Sequence, residues 1–153
     1  MTVDVATAYN THKNFIYRLA LSYVRSSAEA EDILQETFIR YMDNRKKVYP
    51  GKERMWLASV AVNLCKNRLK ALARESGEWD PDWNVEFPEK SELFYAVMAL
   101  PEHERIVIHL HYFEGYDTRE IAGILRISQT AVTSRLSRAR KHLKERLEGD
   151  VYV

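Results

Sequence analysis

Apolar residues recur along this chain at intervals of three and four, the period of a helix. Phe15, Leu19 and Tyr23 form a first stripe. Ser26 followed three residues later by Glu29 is a capping-box pattern, and it predicts a helix running to about Asn44. Along that helix Ile33, Leu34, Thr37, Phe38 and Tyr41 face one way. Tyr49-Pro50-Gly51 is a turn signal, and Trp56, Val60 and Leu64 mark a third helix beyond it. No segment alternates apolar and polar residues for long enough to predict a strand, so the expected fold class is all-α.

Residues 73–90 lose the periodicity, contain one glycine and two prolines, and are acidic, which predicts a linker. Leu93, Val97 and Leu100 open a second helical block. Pro101 before Glu102 and Glu104 predicts a helix start, because proline sacrifices only an N–H that would be orphaned and the acids suit the helix dipole. That helix should end before Gly115, and Asp117 with Glu120 supplies another capping box. The expected organisation is two small helical bundles, 1–72 and 91–153, joined by an acidic tether at 73–90.

Residues 117–147 read as helix, tight turn, helix. Ile121, Ala122 and Leu125 belong to the first helix, Arg126-Ile127-Ser128 to the turn, and Ser128 is placed to cap the second helix. There Val132, Leu136, Ala139 and Leu143 fall within one narrow arc at about 100° per residue. Thr130, Ser134, Ser137 and Lys141 point the opposite way, with Thr133 and Arg138 on the flanks. A face of short hydroxyls and long cations suits a major groove, where such groups meet base edges and phosphates. An ordinary amphipathic helix would also expose polar residues; the capping, the turn and the scarcity of acid favour DNA.

The net charge of +1 conceals a division along the chain: a balance of +5 over residues 1–72, −4 over 73–90 and zero over 91–153. Within the last part, residues 126–147 hold seven basic residues and one acid, Glu145. Basic segments separated by acid point to nucleic-acid contact at chosen places. No apolar run approaches the roughly 18 residues needed to cross a bilayer, which predicts no membrane insertion. Met1 to Asn10 lacks the basic and apolar parts of a secretory signal, and Cys65 stands alone. The expectation is a reduced, cytoplasmic protein.

The stretch Thr118–Leu125 followed by Ile127-Ser128-Gln129-Thr130-Ala131-Val132-Thr133-Ser134-Arg135-Leu136-Ser137-Arg138-Ala139-Arg140 resembles region 4 of the sigma-70 family of RNA polymerase sigma factors. So does its approach, Ala99-Leu100-Pro101-Glu102-His103-Glu104-Arg105. Independently, Ala28-Glu29-Ala30-Glu31-Asp32-Ile33-Leu34-Gln35-Glu36-Thr37-Phe38 resembles the region 2 helix, and Trp56–Leu64 the segment after it. Two regions with a short linker is the layout of the extracytoplasmic-function group. The resemblance covers about residues 10–147.

This resemblance implies a subunit that binds core RNA polymerase and directs it to promoter DNA. The implied polymerase contact is Asp32, Gln35, Glu36 and Arg40; the bare spacing agrees, since Asp32 and Glu36 lie one turn apart, although a solvated face has the same spacing. Recognition and melting of the downstream promoter element falls to the loop Asn44 to Glu53 and the helix after it, with Lys52, Asn63, Lys66, Asn67, Arg68 and Lys70. Arg45, Lys46, Lys47, Lys52 and Arg54 offer the cationic surface that separated strands need, Asn44 and Tyr49 offer hydrogen bonding or stacking, and Trp56 reads as core. For the upstream element the implied base contacts are Gln129, Thr130, Thr133, Ser134 and Arg138, with Arg135, Arg140 and Lys141 on phosphates. The acidic linker resembles the segment that threads the polymerase's RNA path, and it also reads plainly as a solvated tether. An anti-sigma factor is a common partner in the family. Two positions depart from its pattern. Arg126 stands where glycine is usual, so either it turns left-handed at a cost or the turn differs. Thr133 replaces a position that is often basic.

Rival chemistry finds little support. His109 and His111 are two apart and diverge on a helix by about 200°, while His12, His103 and His142 sit in unrelated segments. Glu29, Asp32 and Glu36 could ligate a metal only with further ligands from other helices. Cys65 reads as a small core residue. Neither a phosphate-binding glycine loop nor a nucleophile elbow is present, and no zinc spacing occurs. The expectation is therefore no enzyme, no cofactor, no metal and no small-molecule substrate. Two alternatives stay open: a helix-turn-helix regulator independent of polymerase, and a polymerase-binding adaptor that reads no promoter.

Overall fold

The computed structural model describes residues 3–76 and 92–151, which fall into two compact units. All regular structure among the described residues is helical. The first unit comprises α1 (Val5–Val24), α2 (Ser27–Asn44), a 3₁₀ turn at Arg45–Lys47, and α3 (Glu53–Ser76). The second comprises α4 (Glu92–Met98), α5 (Glu102–Ile108), a π-helical turn at His109–Phe113, α6 (Thr118–Leu125) and α7 (Gln129–Val151). Continuation of α3 to Ser76 carries helix four residues into the segment expected as linker; its remaining residues, 77–90, lie outside the described ones.

Each helix start has a local cause. Asp4 accepts from the Thr7 amide at 2.8 Å and opens α1, and Ser26 accepts from the Glu29 amide at 3.4 Å and opens α2. Only half of the expected Ser26–Glu29 box forms, because the Glu29 carboxylate turns instead to Arg68. At α6 the box is complete: Asp117 accepts from the Glu120 amide at 2.8 Å, and the Asp117 amide donates to the Glu120 carboxylate at 3.1 Å. Pro101 sits one position earlier than expected, as the N-cap of α5, with its carbonyl accepting from the amides of Glu104 and Arg105.

The first core is built from Ile16, Leu19, Tyr23 and Val24 of α1, Ile33, Leu34 and Tyr41 of α2, and Leu57, Ala58, Ala61 and Cys65 of α3. Thr37 sits in this apolar seam because its hydroxyl donates to the Ile33 carbonyl at 2.7 Å. Trp56 meets Tyr41 edge-on with ring centroids 5.8 Å apart, so it belongs to the packed side of α3. In the second unit, Val107, Ile108 and Leu110 close on Ile121 and Ile124 of α6 and on Val132, Leu136 and Ala139 of α7. Full burial of each large aliphatic side chain contributes about 1.5–3 kcal/mol, so these interlocking stripes hold α7 at a set angle to α6.

Candidate functional site

The second unit is a helix-turn-helix. Its turn depends on Arg126, which adopts the left-handed conformation (φ 57°, ψ 46°) and donates its amide to the Ala122 carbonyl. The first of the two options for this position is thus the one the chain takes. Ser128 then accepts from the Ala131 amide at 3.0 Å and starts α7. The Gln129 amide group donates to the Thr118 hydroxyl at 2.8 Å and ties the starts of α6 and α7 together. Thr130, Thr133, Ser134, Ser137, Arg138 and Lys141 are all exposed, and Thr133, Ser134, Ser137 and Arg138 line one shallow open depression. Arg135 is half-buried at the edge of this surface. Thr133 donates its hydroxyl back to the Gln129 carbonyl at 3.0 Å, so its oxygen is left as an acceptor.

Arg140 has a partner that sequence reading missed. Its Nε donates to the Tyr112 hydroxyl at 2.6 Å, and its guanidinium lies 5.6 Å from the centre of that ring. Tyr112 and Phe113 are more than half exposed, at 54% and 58%, at the end of the π-helical turn. The same turn separates His109, buried and stacked on Phe113, from His111, whose ring nitrogen is 2.8 Å from the Tyr116 carbonyl. Two histidines from segments read as unrelated do converge: His142 is 2.6 Å and His103 3.7 Å from the buried carboxylate of Glu104. That carboxylate ties α5 to the outer half of α7. Among the described residues, no group of three or more His, Cys, Asp or Glu side chains could hold a metal ion.

On the first unit, α2 presents Asp32, Gln35, Glu36 and Arg40 at its surface, with Arg40 and Glu36 paired at 3.4 Å. Ile39 and Met42 are 57% and 58% exposed on the same helix, although neither was singled out from the sequence. Ile39 lies angularly between Gln35 and Glu36, so the surface has an apolar centre and a charged rim. Its position outside the buried stripe of α2 was the available signal.

Asn44 donates to the Arg40 carbonyl at 2.8 Å and closes α2. Beyond it, Lys46, Lys47, Tyr49 and Lys52 are exposed, Tyr49 by 79%. Arg54, also exposed, lies over the Phe15 ring with its guanidinium 4.2 Å from the ring centre. On α3, Asn63, Lys66, Asn67 and Lys70 share one arc, with Lys66 half-buried and the others exposed. Arg68 does not join them. Its guanidinium hydrogen-bonds Glu29 and, at 2.6 Å, Asp32, and lies 3.9 Å from Glu36. The Asp32 hydrogen bond and the Glu29 contact hold this arginine even more firmly protonated than usual. Within each of the three candidate groups most residues therefore stand together on one surface, while Arg68 crosses from the α3 group to the α2 group.

Two helical units, the second carrying a recognition helix with an acid-poor outer face, define a two-unit helix-turn-helix protein. The pattern of sigma-70 region 2 matches residues 8–75, and that of sigma-70 region 4 matches residues 91–143. The chain belongs to the sigma-70 family, in its extracytoplasmic-function group. It is 29% identical to the ECF RNA polymerase sigma factor SigM of Bacillus subtilis, covering 94% of each chain. It is also 29% identical to the ECF RNA polymerase sigma factor SigE of Mycolicibacterium smegmatis, over 89% of this chain but 58% of the relative. With the probable RNA polymerase sigma factor RfaY of Xanthomonas campestris pv. campestris it shares 27% identity, over 88% of this chain and 38% of the longer relative. Thus it spans only part of the length of some relatives. In fold it is similar to the sigma factor RpoE solved with the anti-sigma factor NepR from Bartonella quintana, with a TM-score of 0.82, 20% identity, and coverage of 94% of this chain and 96% of that one.

Proposed function

We propose that this protein binds core RNA polymerase and directs it to a specific class of promoters. The observation that carries this reading is the presence, in one chain and in family order, of a region 2 unit and a region 4 unit whose second helix, α7, exposes a face of hydroxyls and cations. In this reading the Ile39-centred surface of α2, with Asp32, Gln35, Glu36 and Arg40, docks on the polymerase. Its apolar middle supplies desolvated area, and its charged rim supplies orientation.

The arc of Asn63, Lys66, Asn67 and Lys70, with Asn44 and Lys52 on the adjoining loop, then receives the separated strands of the downstream element. Cations follow the backbone, while amides and the exposed Tyr49 ring can bond to or stack on an unpaired base. Upstream, α7 enters the major groove. Gln129, Thr130, Thr133, Ser134 and Arg138 meet base edges, and Arg135, Arg140 and Lys141 neutralise phosphates. The protein performs no covalent chemistry in this scheme, works in the cytoplasm where its polymerase is, and is open to control by an anti-sigma factor. No helix among the described residues is long and apolar enough to cross a membrane.

Run-off transcription with bacterial core polymerase on a promoter library, with and without the protein, tests the proposal. New discrete start sites are the expected result. Binding to core without any start favours the adaptor, and neither binding nor starts favours the polymerase-independent regulator. On a promoter so found, Arg138→Ala should lower initiation about 5- to 100-fold, the range for a lost base contact. Undiminished initiation would remove Arg138 from the reading face.

A further inference from the structure

Arg68 belongs by sequence to α3, yet its side chain serves α2. It bonds Glu29 and Asp32 and approaches Glu36, three carboxylates spaced at three and four residues along one edge of α2. Arg40 meets Glu36 from the other side. On the α3 helical wheel Arg68 stands about 100° from the nearest edge-mate Asn67, outside the arc of Asn63, Lys66, Asn67 and Lys70. Its charge is surrounded by acid: three carboxylates face two guanidinium groups, which leaves the cluster net negative and unfavourable for a phosphate.

We infer that Arg68 is a positioning residue of the polymerase-docking surface, holding Asp32 and Glu36 in place for a basic partner, and is not a DNA contact. This inference rests on the reading that α2 docks on core polymerase. The physical case has two parts. Unpaired, the three carboxylates repel one another along α2 and sample many rotamers, and that freedom is lost on docking. Paired with a fixed guanidinium, Asp32 and Glu36 are already oriented, and their remaining exposure (59% and 41% of the side chain) leaves lone pairs for the partner's cations. The cluster remains net negative, so it still attracts a basic surface.

The test titrates fluorescently labelled full-length protein with core polymerase, and then measures promoter opening at saturating core. Arg68→Ala should weaken core binding about fivefold while opening at saturating core stays at the wild-type level. Arg68→Lys should recover part of the affinity, since an ammonium keeps the charge but not the fork that spans two carboxylates. In a cycle with Asp32→Asn, the double variant Asp32→Asn/Arg68→Ala should bind more tightly than the two single losses multiplied together, because both remove one interaction. Far-UV circular dichroism and thermal melts on each variant separate this from unfolding, and Arg68→Gln serves if the alanine variant is poorly folded. Unchanged core affinity, or strict multiplicativity in the cycle, overturns the inference. Loss of opening at saturating core also overturns it and returns Arg68 to the DNA-facing set. If the wild-type chain itself fails to bind core, the docking reading falls and takes this inference with it.

Discussion

Replacing Arg126 with glycine should stabilise the helix-turn-helix, although it removes a cation from the basic segment 126–147. Arg126 is held at φ 57°, ψ 46° by the turn between α6 and α7, and its amide caps the Ala122 carbonyl. A side chain with a Cβ in this region costs about 1–2 kcal/mol from its clash with the following carbonyl. Glycine avoids that clash but has about 0.4–1 kcal/mol more backbone entropy to lose on folding. The difference leaves Arg126→Gly ahead by about 0.5–1 kcal/mol. Amide hydrogen exchange of the full-length protein reads this locally: the slow amides of α6 and α7 should exchange about two- to fivefold more slowly, while those of α1–α3 stay unchanged. Arg126→Ala isolates the cause. Alanine loses the same charge and long side chain yet keeps the Cβ, so its exchange should match the wild type, and Arg126→Asn should fall between alanine and glycine. If alanine slows exchange as much as glycine does, backbone strain is not what Arg126 contributes, and the argument fails.

His12 makes the first unit sensitive to acid. Burial lowers its pKa, the nearby Arg54 lowers it further, and Glu53 opposes both. Because the folded-state value is depressed, the neutral ring's contribution is fully present above the unfolded value of about 6.5 and is lost as pH falls through it toward the lower folded value. Thermal melts should therefore show His12→Gln losing less stability than the wild type between pH 7.5 and 5.5; parallel curves would refute this. Tyr112→Phe should weaken binding of holoenzyme to promoter DNA about twofold, a modest figure because the Tyr112–Arg140 pair is solvent-exposed. The same substitution should have no further effect once Arg140 is alanine, and additive losses would show that the two side chains act separately.

The helices were legible because their causes are local. Ser26, Asp117 and Ser128 each cap a helix by reaching an amide three residues ahead, and such a signal survives in a bare string of residues. The spacing of Val132, Leu136 and Ala139 marked the buried side of α7 before any fold was known, and so marked its free side. Arg126 was recognisable as a position needing explanation because the resembled family usually has glycine there. The seam of α2 fell where period put it, and Cys65, read from its apolar surroundings as a small core residue, is buried.

What the sequence could not contain was the destination of long side chains. Arg68 meets residues 36 and 39 positions away, Glu104 meets His142 38 positions away, and Arg140 meets Tyr112 28 positions away. The family resemblance placed Arg68 among the DNA contacts, whereas in the fold its guanidinium, at the end of a flexible stem, settles against the Glu29 and Asp32 carboxylates of α2. The exposure of Ile39 and Met42 was undecided for the same reason: an apolar residue off the main stripe is buried or bare according to whether another helix covers it. Helix period and capping act over three or four residues and so determined the elements and the exposed polar face of α7, while the loss of period at 73–90 marked the two-unit organisation. Which charges are spent inside the protein, and which remain for a partner, was decided only when α1, α2 and α3, and separately α5, α6 and α7, packed against one another.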